Sequence, residues 1–380
     1  MIYFDNAATT GVKPPQVVSA VTKALREYSV NPGRGGYDSS VRCSEMIYGC
    51  RRKVSDFFGA GAPERVIFTA NCTTAINMVI KGVCRPGDHI VASSLEHNAV
   101  ARPLYKLMRQ GADIDYAEVI FGDKAATVRS FERLIRRDTR LVICTHASNV
   151  TGEVLPIEEI GAICSRKGVP FAVDAAQTAG ILDIDMAKSG IDYLCVAPHK
   201  GLYAPMGTGI LIAMGDIPET LTEGGTGSMS LSYEQPKDYP ERFESGTVNV
   251  PGIAGISAGI DFVKSKTEAS IYRHEMELIT YIYDRLNSVK GVMLYTARPY
   301  AGGFVPTLSF NIRGVDSTSV ATWLAGRGIA VRAGLHCAPM AHRRLGTVDT
   351  GTVRVCCSAF NTKAEADRLI EAVKLGIKNL

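Results

Sequence analysis

Residues 171–201 read FAVDAAQTAGILDIDMAKSGIDYLCVAPHKG, and this stretch decides the fold that the chain is expected to adopt. It contains two short apolar runs with the length and composition of buried strands. The first run, FAV, ends at Asp174, and the second, residues 193–196, is followed by His199 and Lys200. Because ligands of open α/β sheets bind beyond the carboxyl ends of the strands, these side chains mark a candidate site.

An acid and a lysine at two strand ends are the pair that pyridoxal phosphate (PLP) requires of a protein. Asp174 could face the pyridinium nitrogen, and Lys200 could form the Schiff base. Each residue also has a simpler interpretation, because an Asp after a strand is often a helix N-cap and a Lys there is usually a solvated loop charge. Their joint occurrence in one βαβ-like segment, with Gln177 one turn beyond Asp174, favours the cofactor site.

The composition is that of a globular, enzyme-like chain. It has 380 residues, of which 46% are hydrophobic and 21% charged, so we expect two unequal domains. The formal net charge is only +4, with Lys and Arg dispersed, which argues against a nucleic acid partner. The opening MIYFDNAATT has no basic or long apolar leader, and no long apolar stretch follows. We therefore expect a cytoplasmic protein that does not bind membranes.

The cysteine pattern argues against both disulfides and metal. Ten cysteines are too sparse for a disulfide framework, and Cys144, Cys195, Cys356 and Cys357 lie in strand-like apolar runs, as buried thiols in a reducing compartment do. No CxxC pair or His/Cys cluster has the spacing of a zinc site. We expect no metal.

Apolar periodicity alternates between strand and helix from residue 65 onward, after helices at residues 15–28 and 39–58. The predicted strands are 66–69, 89–92, 114–119, 141–145, 171–174, 193–196 and 209–213, and the predicted helices are 72–83, 98–110, 130–137 and 157–167. This alternation predicts an α/β fold whose mostly parallel sheet has helices on both faces.

A second region with a different pattern follows the loop at residues 224–239. Its predicted elements are a long helical stretch at 253–289, strands at 292–295, 307–312, 329–332 and 353–356, and a helix at 362–378. These elements predict a smaller C-terminal α/β domain. We assign residues 13–252 to the large domain and residues 1–12 and 253–380 to the small one.

Several polar residues follow strands and have two interpretations each. Thr73 and Thr74 open a helix, where they form a phosphate site or one of them caps the helix. His97 either stacks on a cofactor and transfers protons, or caps the next helix. Asn149, with Gln177, could reach the cofactor's phenolic oxygen, or it serves the turn.

Two other segments also carry polar residues of interest. The Gly-rich loop at residues 31–36 carries Arg34, which either approaches an anion or belongs to a plain interhelical loop. Cys337 lies in a Gly-containing loop near Arg332 and His336, in an accessible, electropositive setting that favours a thiolate. Otherwise it is one unremarkable cysteine of ten.

Arg354 lies in an otherwise apolar strand. An inward-facing Arg needs an anion, which is either an amino-acid carboxylate or a partner in a structural salt bridge.

Nearly the whole chain resembles the cysteine desulfurase and selenocysteine lyase group of class V aminotransferase-like PLP enzymes. The motifs that match, in the family's order, are YFDNAATT, CTTAIN, EHNA, SNVTGE, VDAAQ, PHKGLYAP, ESGTVNVPG, RAGLHCAP and RVCCSAFNT. The resemblance implies an aspartate-aminotransferase-like fold, a homodimer and PLP as cofactor. It further implies L-cysteine as substrate, with selenocysteine cleavage, transamination or β-elimination as alternatives, and a sulfur-acceptor or scaffold protein as partner, as in iron–sulfur cluster assembly.

The resemblance also implies a role for each candidate residue. The cofactor set is Lys200 for the Schiff base, Asp174 for the ring nitrogen, His97 on the ring, Gln177 and Asn149 near the ring oxygen, Thr73, Thr74 and His199 at the phosphate, and Thr247 from the partner subunit. The substrate set is Arg354, Arg332 and Asn149, with Cys337 as the sulfur-accepting nucleophile and Lys200 and His97 as the other catalytic residues. Departures from the family's pattern are Ala197, Cys72 and Leu335, which bear on rate and substrate preference.

Overall fold

The N-terminal part of the chain is a short strand followed by two helices. They are β1 (Ile2–Tyr3), α1 (Pro15–Glu27) and α2 (Asp38–Phe57) in this computed structural model, which describes residues 1–32 and 35–380. The predicted Gly-rich loop has its Arg34 outside the described residues, so its two interpretations stay open.

A seven-stranded sheet follows, with strands and helices in alternation. The strands are β2 (Val66–Thr69), β3 (His89–Ser93), β4 (Asp113–Ala117), β5 (Thr139–Thr145), β6 (Phe171–Asp174), β7 (Tyr193–Val196) and β8 (Gly209–Ala213), and the intervening helices are α3 (Cys72–Val83), α4 (Asn98–Arg109), α5 (Lys124–Leu134) and α6 (Ile157–Lys167). The order across the sheet is β2-β8-β7-β6-β5-β3-β4. Strand β8 runs antiparallel to both of its neighbours, and the remaining pairs are parallel. The predicted mostly parallel α/β sheet is confirmed.

Alternate residues of each strand build separate cores on the two faces of the sheet, as the two-residue period of a strand requires. On β7, Leu194 and Val196 belong to a core that also contains residues of α2, α6 and the C-terminal part of the chain. Tyr193 and Cys195 face a second core, formed with α3 and α4. Helices therefore cover both faces, and the carboxyl ends of the strands stay open between them.

The C-terminal part of the chain forms its own smaller sheet. Its elements are α7 (Val250–Lys266), α8 (Glu268–Asn287), β9 (Val292–Leu294), β10 (Thr307–Ile312), α9 (Ser317–Ala325), β11 (Ile329–Ala330), α10 (Pro339–Leu345), β12 (Val353–Cys356) and α11 (Lys363–Asn379). The small sheet is antiparallel in the order β12-β10-β9, and β11 pairs with β1 in parallel. Ile2 and Phe4 consequently pack in the C-terminal core. The domain limits given above stay a prediction.

Some predicted elements differ from those in the structure. The helix expected over 253–289 breaks at Thr267, whose φ of 66° is left-handed and whose Oγ1 accepts from Ser270 N at 3.2 Å, which caps α8. The helix expected over 130–137 corresponds to α5, which begins earlier, at Lys124. The Asp123 side chain caps this start by accepting from Ala126 N at 2.8 Å. Helices α9 and α10 were not predicted, because both are short and lack a long apolar period.

Among the described residues, every helix is too short or too polar to span a membrane. The same residues contain no cluster of three or more His, Cys, Asp and Glu side chains placed to bind a metal.

Candidate active site

A cavity of about 200 Å³ lies at the carboxyl ends of the large sheet's strands and reaches the C-terminal part of the chain. The predicted site residues that line it are Thr73, His97, Asn149, Asp174, Gln177, His199, Lys200, Arg332, Cys337 and Arg354. Thr74 and Thr247 are not part of this lining. The parallel sheet brings the first seven of these to one edge, because they follow the ends of its strands, whereas Arg332, Cys337 and Arg354 come from the C-terminal part of the chain.

Asp174 is buried at the end of β6, and its side chain has a free acceptor oxygen. Oδ1 accepts from Ala176 N at 2.9 Å and lies 3.7 Å from the Cys72 thiol. Burial raises the pKa of the Cys72 thiol well above its usual value, and the Asp174 charge raises it further, so this thiol is a neutral donor. Within the described chain these contacts all use Oδ1, which leaves Oδ2 to accept from a ring N–H.

Lys200 follows β7 at the floor of the cavity. Burial lowers the pKa of Lys200, and the nearby Asp174 charge partly opposes this effect. The next residue must be glycine, because a Cβ on Gly201 would stand 2.3 Å from the carbonyl oxygen of Ala179. This close approach packs the lysine turn against the loop after β6, so that the amine and the Asp174 carboxylate share one cavity.

His97 caps α4, as one of its two interpretations expected, and it also lines the cavity. Its Nδ1 accepts from Ala99 N at 3.0 Å, which places the proton of the neutral ring on Nε2. Burial lowers the pKa of His97, and the Asp174 charge opposes that effect. The cap fixes the orientation of the ring as well as its tautomer.

The start of α3 and the side chain of His199 both line the cavity. The N-cap of α3 is Asn71, whose Oδ1 accepts from Thr74 N at 2.9 Å and Thr74 Oγ1 at 3.2 Å, so the interpretation of a Thr as the cap is wrong. Thr73 lines the cavity. Burial lowers the pKa of His199 to about 4, and its buried Nδ1 has no partner among the described residues. That nitrogen is available to a ligand oxygen.

Arg354 is buried in β12 and already has a carboxylate partner. Its Nη2 donates to Asp5 Oδ1 at 2.9 Å and its Nη1 to the Asn149 carbonyl at 3.0 Å. The salt-bridge interpretation is thus confirmed, yet the buried Nε has no partner in the described chain and Arg354 also lines the cavity. Asp5 was missed as a site residue, although it lies in the matched opening motif YFDNAATT.

The loop carrying Cys337 is held in an unusual backbone conformation. His336 and Cys337 have φ values of 48° and 56°, and a left-handed residue other than glycine costs roughly 1–2 kcal/mol. Two hydrogen bonds offset this cost, since the His336 carbonyl accepts from Asn149 Nδ2 and the Cys337 carbonyl from Asn98 N, each at 2.7 Å. Cys337 is exposed, whereas the other nine cysteines are buried.

His336 does not supply the positive charge that was expected beside Cys337. It is buried, and its Nε2 lies 2.9 Å from the Thr352 carbonyl oxygen. Burial, with the Arg354 charge second, lowers the pKa of His336 to about 2. The neutral ring therefore supports the loop, and the expectation that it favours a thiolate electrostatically is wrong. Arg332 remains as a cation in the cavity wall.

The cavity fits PLP in size and chemistry. A volume of about 200 Å³ is below the 300–1,000 Å³ of drug-sized pockets and suits a single-ring compound. Asp174 Oδ2, the Lys200 amine and the unpaired His199 Nδ1 are the groups that a pyridinium nitrogen, an aldehyde and a phosphate would require.

Glu96, which precedes His97 in the chain, gives a pH-dependent prediction. It is buried, its Oε1 accepts from Ser93 Oγ and from Thr145 N, and burial raises its pKa to about 8. The folded state therefore holds a proton that the unfolded state loses near pH 4, so stability falls as pH rises toward 8. We compare the free energy of unfolding, measured with urea, at pH 6 and at pH 9. It should fall by on the order of 2 kcal/mol more in the wild type than in Glu96→Gln.

The control for this prediction is Glu45→Gln, which removes an exposed carboxylate. Its free energy of unfolding should fall between the two pH values by the same amount as that of the wild type. Equal losses in the wild type and Glu96→Gln would contradict the assignment of a protonated Glu96.

A lysine and an acid at the strand ends of a mostly parallel sheet, in one cavity with a buried arginine, are typical of α/β enzymes that use PLP. The family model described as "Aminotransferase class-V" matches residues 2–369, and the chain belongs to this family of PLP enzymes. The expected resemblance is confirmed.

Relatives and solved structures specify the group within the family. A "Probable cysteine desulfurase" of Methanothermobacter thermautotrophicus is 34% identical, over 98% of this chain and 94% of the relative. A "Cysteine desulfurase" of Haloferax volcanii is 30% identical, over 98% and 88% respectively. The apo structure of a cysteine desulfurase from Thermococcus onnurineus superposes with a TM-score of 0.92 at 31% identity, covering 100% of this chain and 95% of that one. The chain is thus similar to cysteine desulfurases over its whole length.

Proposed function

We propose that this protein is a PLP-dependent cysteine desulfurase that converts L-cysteine to L-alanine and leaves a persulfide on Cys337. The observation that carries the proposal is the position of Cys337. It is the exposed thiol among ten cysteines, and it borders the cavity that contains Lys200 and Asp174. An aminotransferase or β-lyase on the same fold would have no use for it.

The cofactor would be held by residues that the cavity brings together. Bound PLP supplies an electron sink for the charge that develops at the substrate Cα. Asp174 would accept from the ring nitrogen, His97 would lie against the ring, Gln177 and Asn149 would lie near its oxygen, and Thr73, Thr74 and His199 would hold the phosphate. The backbone N–H and hydroxyl of Thr74 are already bonded to Asn71, so Thr74 would contribute least.

The substrate would be oriented by the two arginines and attacked by the thiol. Arg354, through its unpaired Nε, and Arg332 would bind the carboxylate, with Asn149 positioning Arg354 through its carbonyl. The Lys200 amine, with its lowered pKa, would take and return the Cα proton. Cys337 Sγ would form an S–S bond while the substrate's Cβ–S bond breaks.

Product analysis tests this function directly. Purified, PLP-loaded protein is incubated with L-cysteine and a reductant, and alanine, sulfide and pyruvate are measured. We expect alanine and sulfide in equal amounts. Pyruvate in place of alanine would identify a β-lyase instead. Selenocysteine in place of cysteine tests the alternative substrate.

We also propose a homodimer with shared active sites, based on the position of Thr247. This residue is exposed and lines a separate groove of about 590 Å³, outside the Lys200 cavity of its own chain. The buried Arg51–Glu244 pair, with Nη1 2.8 Å from Oε1, anchors the start of the segment that carries it. A contact of Thr247 with the cofactor phosphate would therefore come from another subunit.

Subunit mixing is expected to restore activity if the sites are shared. Lys200→Ala and Thr247→Ala, each inactive alone, should give about one quarter of wild-type activity after exchange, because half of the dimers are mixed and each has one intact site. A mixture of Lys200→Ala and Cys337→Ala is the control. It should stay inactive, since both residues border the same cavity of one chain. No recovery in the first mixture, despite demonstrated exchange, would argue against shared sites.

The sulfur-acceptor protein, the pathway it serves and the cytoplasmic location stay predictions. The same holds for the effects of Ala197, Cys72 and Leu335 on rate.

A further inference from the structure

Cys337 borders a second cavity in addition to the cofactor cavity. This cleft of about 400 Å³ runs between α3 and α4, and its lining includes Asn77, Lys81, Arg102, Lys106 and Cys337. The two cavities share Thr73, His97, Ala99 and Cys337. A molecule in the cleft could therefore reach the thiol from outside while the substrate occupies the other side.

The cleft is strongly basic. Lys81, Arg102 and Lys106 are exposed, and the described part of the chain offers none of them a salt bridge or a side-chain hydrogen bond. Helices α3 and α4 contain four cations, these three and Arg109, and no Asp or Glu. Their charge of +4 equals the formal net charge of the whole chain. Some exposed cations elsewhere are paired, as Arg85 is with Glu219 at 2.6 Å.

The cations form a row that leads away from the thiol. The Cys337 carbonyl accepts from Asn98 N at the start of α4, and Lys106 lies eight residues further, or about 12 Å along the helix. Arg102 and Lys106 are four residues apart and share one helix face. A row of this length spans about four residues of an extended peptide. The row is longer than the binding site of a simple anion needs to be.

We propose that this basic cleft binds an acidic segment of the protein that accepts sulfur from Cys337. The inference rests on the proposed function for the persulfide, but the charge and shape of the cleft do not depend on it. Carboxylates of the segment would pair with Lys81, Arg102 and Lys106, and this pairing would place the segment's thiol at the Cys337 end. Complementary charge of this kind increases the rate of encounter and selects the partner.

The transfer step is balanced without an added oxidant. The acceptor thiol gives its proton to solvent, and its thiolate attacks the outer sulfur of the Cys337 persulfide. A new S–S bond forms on the acceptor while the bond between Cys337 Sγ and the outer sulfur breaks. The electron pair of that bond remains on Cys337 as a thiolate. The acceptor leaves as a persulfide.

Transfer to synthetic peptides tests the proposal on the PLP-loaded enzyme. Two eight-residue peptides each carry one Cys, flanked by Glu in one and by Lys in the other. The enzyme is first loaded with persulfide by L-cysteine and desalted, and peptide persulfide is then measured by mass spectrometry. We expect transfer to the Glu peptide to be at least about tenfold faster at low salt, and the ratio to approach one at about 0.5 M salt, because salt screens exposed charges.

Two triple variants show where the preference arises. Lys81→Glu, Arg102→Glu and Lys106→Glu together should abolish or invert the ratio of the two peptides. The matched control, Arg129→Glu, Lys290→Glu and Lys378→Glu, changes the net charge equally at exposed positions outside the cleft, and it should keep the wild-type ratio. Equal ratios in both triple variants, or no preference in the wild type, would overturn the proposal.

Binding measurements separate this proposal from the proposed function. Fluorescence anisotropy with the Glu peptide carrying Ser in place of Cys requires no persulfide. Binding should weaken at least about tenfold in the cleft variant, but not in the control. If the peptide binds but Cys337 forms no persulfide from L-cysteine, the proposed function is wrong and the proposal for the basic cleft still holds. Coenzyme A is a thiol that bears phosphates. If sulfur transfer to coenzyme A is faster than transfer to the Glu peptide, the proposal of an acidic protein segment as the partner is wrong.

Discussion

Replacement of Cys337 by alanine should reduce sulfide release from L-cysteine by about 100-fold or more, because a nucleophile that acts in concert with its site is costly to remove. The cavity that contains Lys200 and Asp174 is otherwise unchanged, so PLP binding and the spectral response to L-cysteine should persist. Alanine also tolerates the left-handed conformation at position 337, with a φ of 56°, no worse than cysteine does. The loss should therefore be chemical and not structural.

The measurements are the sulfide rate, persulfide labelling by mass spectrometry and the cofactor absorbance. Cys337→Ser is a second test that keeps the size of the side chain and should lose activity equally. Leu335→Ala changes an exposed neighbour in the same loop and should remain within a few-fold of the wild type. Desulfuration by Cys337→Ala at the wild-type rate would make Cys337 a bystander and favour the β-lyase.

Lys200→Ala should abolish activity and remove the covalent attachment of PLP. Lys200 is the lysine in the cavity lining, and its lowered pKa favours the neutral amine, the form that attacks an aldehyde. Borohydride reduction of the wild type followed by peptide mapping should place the pyridoxyl group on the peptide that contains Lys200. The variant should show no adduct there and at least about a 10³-fold loss of activity.

Lys13 offers a stringent comparison for that assignment. Burial lowers its pKa to about 8, and its Nζ donates to the His199 carbonyl at 3.1 Å, so it is a second reactive amine near the site. It does not belong to the cavity lining. An adduct on Lys13 in the wild type would overturn the assignment of Lys200, whereas Lys13→Ala should retain the adduct on Lys200.

The local sequence was sufficient for the elements that carry the site. Strands β2, β6, β7, β8, β10 and β12 and helices α3 and α6 have the predicted bounds, because each is a short run whose apolar period and flanking residues agree. Parallel strands share one direction, so Asp174 and Lys200 could be placed at one edge before any contact was known. The break at Thr267 was missed, because apolar residues continue through it and a left-handed threonine has no sequence signature.

The sequence by itself determined the sheet, its open edge and the residue types gathered there, because apolar periodicity and strand ends are local properties. Only the tertiary structure decided which partners those residues have. Arg354 pairs with Asp5, which is 349 positions away, and burial keeps His336 neutral where the sequence suggested a cation. Charge state and pairing depend on desolvation and on contacts between distant segments, and packing alone creates both.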